Sequence, residues 1–244
     1  MKLIVLGNNG SFPGRDSACS GYLIQDGTTN ILIDCGNGVI SRAQRYCKIE
    51  DLEAIVLSHL HRDHTSDMFV LRYAVETKFY FKTMDKPITV YAPSTPEEER
   101  RGLEYNNVYN LTTIYDTMEV NIKGLSCKFF MMNHPVETYG LRIEKDGKVL
   151  SYTADTIVND NLKKLAANAD LFLSESTATE KVLSTSNIPH LSAKQAAEVA
   201  KLANVKKLLL THFWYEEERS NYLKEASTVF PEVLLAEEFK EYEV

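Results

Sequence analysis

The chain repeatedly places a histidine or a carboxylate directly after an apolar segment that favours a β-strand. Six segments end this way, at Asp34, His59, His134, Asp155, Glu175 and His212. A strand fixes the position of the residue at its end, and the following loop leaves that residue accessible. Turn formation would explain any one of these residues. The six together favour a sheet protein in which they converge on one cleft.

The intervening segments predict an α/β protein. Strands dominate the first third, at Lys2 to Leu6, Gly21 to Gln25, Asn30 to Asp34 and Ala54 to Ser58. The final third alternates helices with strands, and Asp146-Gly147 is a two-residue hairpin signal. Strands in both halves, with helices around them, predict two packed sheets covered by helices. At 244 residues we expect one domain, residues 1–244.

Composition limits the location and the partners. No apolar run approaches the length of a membrane helix, and the start of the chain lacks the features of a signal peptide. The four cysteines are irregularly spaced, which favours free, mostly buried thiols and a cytoplasmic protein. A formal net charge of −7 argues against broad nonspecific binding of nucleic acid, although it leaves room for a local basic patch.

The densest group of ligand-type side chains is His59-Leu60-His61-Arg62-Asp63-His64. Burial of such groups without partners would cost on the order of several kcal/mol each, and a metal ion would offset that cost. In an extended segment His59 and His61 share one side, while Asp63 and His64 can face a second ion from the following turn. Imidazole and carboxylate ligands suit zinc, manganese or iron, and the lack of cysteine tells against a closed structural zinc site.

This motif resembles the signature of the metallo-β-lactamase superfamily, and the resemblance extends along nearly the whole chain. It includes Asp34 in LIDCGNG, His134, Asp155 in TADT and His212 in LLLTHF. The implied fold is α/β, a four-layer αββα sandwich with a dinuclear site at one edge. The implied cofactors are two divalent ions, of which Zn²⁺ is expected first and Mn²⁺ or Fe²⁺ would also suit.

The resemblance also implies a role for each ligand. One ion would be held by His59, His61 and His134, the other by Asp63, His64 and His212, and both by Asp155. Asp34 would orient one of the ligands from behind. Two such ions would lower the pKa of a bridging water and clamp the phosphoryl oxygens of an in-line displacement. Asp63 could orient that water or accept its proton.

Other segments indicate the branch of the superfamily. Aspartate at position 155, where zinc β-lactamases have cysteine, argues against antibiotic hydrolysis. The opening LGNNGSFPGRDSACSGYLI and the segments SEST and HLSAKQAAEVA resemble ribonuclease Z and related phosphodiesterases. Ser174 and Leu191 depart from that pattern. The alternatives are another hydrolase of the fold, such as a glyoxalase II-like thioesterase or a lactonase, and a metal-binding protein without catalytic activity.

The substrate expected from this resemblance is a phosphodiester, either RNA or a small or cyclic molecule. In ribonuclease Z a long insertion between the third and fourth motifs grips transfer RNA. Here only 20 residues separate His134 from Asp155, which argues against a transfer RNA substrate. The resemblance also implies that homodimers can form.

His190 is the sixth histidine and is not needed as a ligand. It lies in NIPHLSAKQA, just before a capping box formed by Ser192 and Gln195. A helix N-terminus favours an anion. We expect His190, held by Glu175, to bind the scissile phosphate and to assist departure of the leaving oxygen. A histidine hydrogen-bonded in a turn is the structural alternative.

Weaker patterns indicate further substrate contacts. Arg15, in the turn after Phe12-Pro13-Gly14, is a candidate phosphate contact or a solvated surface arginine. Ser192 is a second candidate contact. KFYFK, residues 78–82, interleaves aromatic rings with lysines as platforms for single-stranded nucleic acid do, or it packs its rings inward as part of an ordinary element.

Overall fold

The chain folds into two units, each built around a seven-stranded sheet. The computed structural model describes residues 1–244. Unit 1 comprises Met1–Ile114 and Glu238–Glu243, and unit 2 comprises Tyr115–Glu237 and Val244. The expectation of one domain over residues 1–244 stays a prediction.

Fourteen strands and eight α-helices form these units. The strands are β1 Lys2–Gly7, β2 Gly21–Asp26, β3 Thr29–Ile33, β4 Leu52–Val56, β5 Ile88–Ala92, β6 Tyr109–Thr113, β7 Glu119–Ile122, β8 Leu125–Met132, β9 Thr138–Lys145, β10 Lys148–Tyr152, β11 Leu171–Glu175, β12 Leu208–Thr211, β13 Val233–Leu235 and β14 Glu241–Glu243. The helices are α1 Val39–Ala43, α2 Arg62–Thr65, α3 Met68–Tyr80, α4 Glu97–Gly102, α5 Asp160–Ala166, α6 Glu180–Leu183, α7 Ala193–Leu202 and α8 Arg219–Ser227. None of the helices is long and apolar enough to span a membrane.

The sheet of unit 1 has the order β14-β1-β2-β3-β4-β5-β6. Strands β3 to β6 run parallel to one another, so their carboxyl ends lie at the same edge. Helix α3 contributes Met68, Leu71 and Val75 to the core that it shares with the strands. Their helical spacing places them on one face, and burial of each contributes about 1.5 to 3 kcal/mol.

The KFYFK segment, residues 78–82, lies at the C-terminal end of helix α3, and its three aromatic rings differ in their exposure. Phe79 packs against the core of unit 1. Tyr80 and Phe81 are 80% and 67% exposed, and Lys78 forms an ion pair with Glu50 at 2.6 Å between Nζ and Oε2. Inward packing therefore describes only one of the three rings.

The sheet of unit 2 has the order β13-β12-β11-β10-β9-β8-β7. Strands β10 to β13 are parallel, whereas β7 to β10 pair as an antiparallel meander. The predicted hairpin between β9 and β10 is confirmed. Its turn residues Asp146 and Gly147 have φ values of 50° and 75°, as a type I′ turn requires.

Helix α7 begins at the predicted capping box. Ser192 Oγ accepts a hydrogen bond from Gln195 N, and the Gln195 side chain accepts one from Ser192 N. The apolar face behind it carries Ala196, Val199 and Ala200, all buried. This helix packs against β11 and β12, and thereby fixes the segment that precedes it.

The cysteines are free thiols, as expected. Cys19, Cys35 and Cys127 are buried, and Cys47 is half-buried. Burial raises the pKa of Cys19 to about 12 and that of Cys47 to about 11. Such thiols carry almost no thiolate at neutral pH, which makes them poor nucleophiles.

Candidate metal-binding clusters

In unit 1 the ligand-type residues gather at the carboxyl ends of β3 and β4. Asp34 follows β3 directly, and the His59 segment follows β4 after a short connection. Because these strands are parallel neighbours, their ends place the two segments side by side. Asp34 has φ 55°, in the left-handed region that residues other than glycine rarely adopt. Such strained positions are concentrated at functional sites.

The carboxylate of Asp34 is fully buried and orients His64. Oδ1 of Asp34 accepts a hydrogen bond from Ser58 N at 2.8 Å, and Oδ2 accepts one from Ser58 Oγ at 2.9 Å. Nδ1 of His64 lies 2.8 Å from the same Oδ2. With its Nδ1 hydrogen donated to Asp34, His64 presents the lone pair of Nε2, which lies 3.6 Å from Oδ2 of Asp63.

The side chains of His59 and His61 meet through ring nitrogens. Nδ1 of His59 lies 3.1 Å from Ser58 Oγ, so that its Nε2 is left with a lone pair. That Nε2 lies 3.1 Å from Nδ1 of His61. Two nitrogens bound to one tetrahedral zinc ion would be about 3.3 Å apart. The spacing of these two nitrogens therefore suits a shared ion.

Asp63 is held in place by its neighbours. Ser11 N donates a hydrogen bond to Oδ2 of Asp63 at 2.7 Å. A Cβ atom at Gly36 would lie 2.0 Å from the Asp63 carbonyl oxygen, so the backbone can approach this closely only at a glycine. The first glycine of LIDCGNG, Gly36, is therefore required by close backbone packing, which the sequence motif does not reveal.

Asp34→Ala is expected to weaken both the fold and the affinity for zinc. The change leaves the buried Ser58 and His64 donors unpaired, at a cost of about 1 to 3 kcal/mol for each donor. Loss of such a partner behind a metal ligand typically lowers metal affinity about 10- to 100-fold. Urea unfolding and competition with a chromophoric chelator measure the two effects. Asp85→Ala, at an exposed position in the same unit, is the control. Unchanged zinc affinity would contradict the orienting role of Asp34.

In unit 2 four strands end at one edge with a ligand-type residue. Glu175 is the last residue of β11, and His134, Asp155 and His212 follow β8, β10 and β12. Strands β10, β11 and β12 are parallel neighbours, and β8 runs in the same direction because β9 is antiparallel to both β8 and β10. His212 has φ 56°, a second left-handed residue at a strand end.

Asp155 is buried, and its two oxygens face different histidines. Oδ1 lies 3.3 Å from Nε2 of His212, and Oδ2 lies 4.0 Å from Nε2 of His134. Nδ1 of His134 lies 3.2 Å from the carbonyl oxygen of Pro189, which can only accept a hydrogen bond. The lone pair of His134 is therefore at Nε2, on the side of Asp155.

Glu175 supports two histidines at once. Its Oε2 accepts hydrogen bonds from Thr177 N at 3.0 Å and from Thr177 Oγ1 at 2.9 Å. Thr177 Oγ1 in turn lies 2.8 Å from Nδ1 of His212 and accepts its hydrogen. Oε1 of Glu175 accepts from Thr156 N at 2.9 Å and lies 3.0 Å from Nδ1 of His190. This buried carboxylate thus fixes the orientation of both imidazole rings.

The chemistry of the donor sets suits divalent metal ions. In His59, His64, His134 and His212, Nδ1 bonds to an oxygen of the protein, so Nε2 is left to bind a cation. Glu175, His190 and His212 form a further group, with one ligand-type atom from each residue within 4.8 Å of the others. Imidazole nitrogen and carboxylate oxygen are ligands for zinc, manganese and iron.

The weaker candidates lie elsewhere. Arg15 is exposed in the turn after β1. The Ser192 hydroxyl is already engaged, in the capping box and with Glu180 Oε1 at 2.5 Å, so a role in substrate binding stays a prediction. The hydroxyls of Ser58 and Thr177 were not anticipated. They stand next to His59 and within SEST, so proximity to these motifs was the only signal for them.

Comparisons with known proteins agree with this architecture. Residues 29–213 match the family described as "Beta-lactamase superfamily domain". The "Probable metallo-hydrolase YhfI" of Bacillus subtilis is 32% identical over 230 residues, which cover 94% of this chain and 94% of that protein. The crystal structure of the metallo-beta-lactamase fold protein YhfI from Bacillus subtilis matches with a TM-score of 0.91 at 31% identity and covers 99% of each chain.

A ribonuclease Z of Archaeoglobus fulgidus is 27% identical over 305 residues, covering 100% of this chain and 97% of that protein. The alignment is longer than the 244 residues of this chain, so that relative contains segments that are missing here. The expected α/β fold is confirmed. The chain belongs to the beta-lactamase superfamily, has the metallo-β-lactamase fold, and counts ribonuclease Z among its relatives.

Proposed function

We propose that this metallo-hydrolase cleaves phosphodiester bonds, in RNA or in a small or cyclic phosphodiester. The observation that carries the proposal is His190 held by the buried Glu175, 4.0 Å from Asp155 and with its ring stacked on that of His212. The arrangement adds an oriented imidazole to a group of metal-ligand type. The likeness to ribonuclease Z supports the same chemistry.

The two clusters supply ligands for two divalent ions, with Zn²⁺ expected first. His59, His61 and His134 would hold one, Asp63, His64 and His212 the other, and Asp155 both. The two oxygens of Asp155 face His212 and His134, which supports the bridging role. When bound, such ions activate water and stabilise the charge that develops on the phosphoryl oxygens.

Two side chains, those of Asp63 and His190, are assigned the proton transfers. Asp63, fixed by Ser11 N, accepts a proton from the attacking water. His190 donates its Nδ1 hydrogen to Glu175, and when the ring is doubly protonated its Nε2 hydrogen bonds a phosphoryl oxygen or is transferred to the leaving oxygen. Asp34 and Thr177 keep His64 and His212 in the tautomers that bind metal.

The substrate is proposed to be smaller than transfer RNA. The chain between His134 and Asp155 forms only a short turn and the β9–β10 hairpin. A protruding arm for a folded RNA is absent from that segment. A short single strand or a cyclic nucleotide needs no such arm.

Turnover of bis(p-nitrophenyl) phosphate tests the function. The protein loaded with Zn²⁺ or Mn²⁺ is expected to hydrolyse it, to lose activity with a chelator, and to regain it when the metal is restored. A thioester and a lactone are assayed in parallel, because thioesterases and lactonases share the fold. A metal-loaded protein that cleaves thioesters or lactones but no phosphodiester would overturn the proposal. Cyclic nucleotides and pre-tRNA are then compared, and pre-tRNA is expected to remain uncut.

A further inference from the structure

The turn that follows β1 is anchored firmly to the rest of unit 1. Asn9 is buried, and both its backbone N and its side-chain Nδ2 donate hydrogen bonds to Ala18 O, at 3.2 and 2.9 Å. Ser17 Oγ and Ala18 N donate to Oε1 of Glu238, at 2.6 and 3.0 Å. These bonds close the segment at its base and hold residues 10–15, here called the 10–15 turn, in one position.

The tip of the 10–15 turn is strained and bonded to a proposed metal ligand. Ser11 has φ 62°, and Phe12 N donates to Gly10 O at 2.8 Å, which defines a γ-turn of the rare positive-φ kind. The same conformation directs Ser11 N to Oδ2 of Asp63 at 2.7 Å. Phe12 therefore directly follows Ser11 in the chain, and the backbone N–H of Ser11 is hydrogen-bonded to the proposed catalytic residue Asp63.

The ring of Phe12 lies in part at the surface of the 10–15 turn. It is 44% exposed. Arg15, in the same turn, is exposed and forms no ion pair. A flat apolar ring on a fixed backbone loses little conformational entropy when it binds a planar group. A free guanidinium is suited to phosphate.

We propose that Phe12 is a specificity-determining residue that stacks on the nucleobase of a nucleotide phosphodiester. The inference rests on the proposed function and narrows its substrate to esters that carry a base. A nucleotide combines the two groups that the 10–15 turn is equipped to bind, a planar heteroaromatic ring and a phosphate. Arg15 contacts a phosphate of the same substrate.

Two substrates with the same leaving group isolate the contribution of the base. Thymidine 5′-(p-nitrophenyl) phosphate and methyl p-nitrophenyl phosphate both release p-nitrophenolate, but only the first carries a base. In the metal-loaded protein, Phe12→Ala is expected to lower kcat/KM for the thymidine ester by about 5- to 150-fold, the range of a base–aromatic stack. The value for the methyl ester is expected to stay within about twofold. Phe12→Trp, which restores a stacking ring, should recover the thymidine activity.

Binding measurements provide a readout that does not need turnover. By calorimetry, Phe12→Ala should raise the Kd of thymidine 5′-monophosphate by the same factor and leave that of methyl phosphate unchanged. Tyr73→Ala, which removes a ring of similar exposure (48%) from α3, is the matched control and should alter neither. Equal losses on both esters, or no loss on either, would overturn the role of Phe12. Failure of the wild type to cleave any phosphodiester would overturn the proposed function instead.

Discussion

Asp155→Ala is expected to abolish phosphodiester turnover and to reduce the bound metal. Asp155 supplies the negative charge beside His212 and His134, at 3.3 and 4.0 Å. Without it, the imidazoles would have to hold the ions with less compensating charge. A divalent ion contributes several kcal/mol to the stabilisation of the transition state, so the rate should fall by at least about 10³-fold.

Metal analysis, zinc-dependent thermal stability and turnover test this expectation together. A ligand that binds only the folded state raises the free energy of unfolding by RT ln(1 + [L]/Kd). The Tm of the wild type should therefore rise as zinc is added, and the Tm of Asp155→Ala should rise much less. Asp170→Asn is the matched control, because Asp170 is also buried in unit 2 but bonds Lys148, Lys206 and Val149 N. Full metal content in Asp155→Ala would remove Asp155 from the ligand set.

His190→Ala is expected to keep the metal and to lose turnover by about 10² to 10⁴-fold, the range for a lost general acid or base. Its partner Glu175 remains bonded to Thr156 N and to Thr177, so the orientation of His212 should survive the change. The loss should be greater for esters with poor leaving groups, such as a dinucleotide, than for bis(p-nitrophenyl) phosphate. An activated leaving group needs less help from a proton donor.

Gln195→Ala is the control for a disturbance of the segment, because it breaks one half of the capping box without touching Glu175. It should lower stability slightly and leave turnover nearly unchanged. A loss of metal in His190→Ala would instead show that His190 is a metal ligand. The geometry permits this alternative, because Glu175, His190 and His212 form a group that could hold an ion. An equal loss with all leaving groups would favour phosphate binding over proton donation.

Several structural predictions rested on local patterns and were confirmed. The four strands predicted in the first third form β1 to β4 with ends displaced by at most two residues, the Asp146-Gly147 turn closes a hairpin, and Ser192 with Gln195 caps α7. Each feature depends on residues adjacent in the sequence, such as alternating burial, a positive-φ turn or a reciprocal cap. Helix α3 was not predicted. Its exposed face carries the apolar residues Val70, Tyr73 and Tyr80, so the sequence does not show the alternation of one apolar and one polar face that indicates a surface helix.

The residue types at the strand ends, and the family that they resemble, can be read from the amino-acid sequence, because a strand carries its last residue to a fixed place. The nitrogen that each histidine is left with for a cation depends on hydrogen bonds that form in the folded protein. Ser58, Thr177 and the Pro189 carbonyl make that choice for His59, His212 and His134. Pro189 is 55 residues from His134 and Thr177 is 35 from His212, so these hydrogen bonds form only when the chain has folded and no local pattern encodes them.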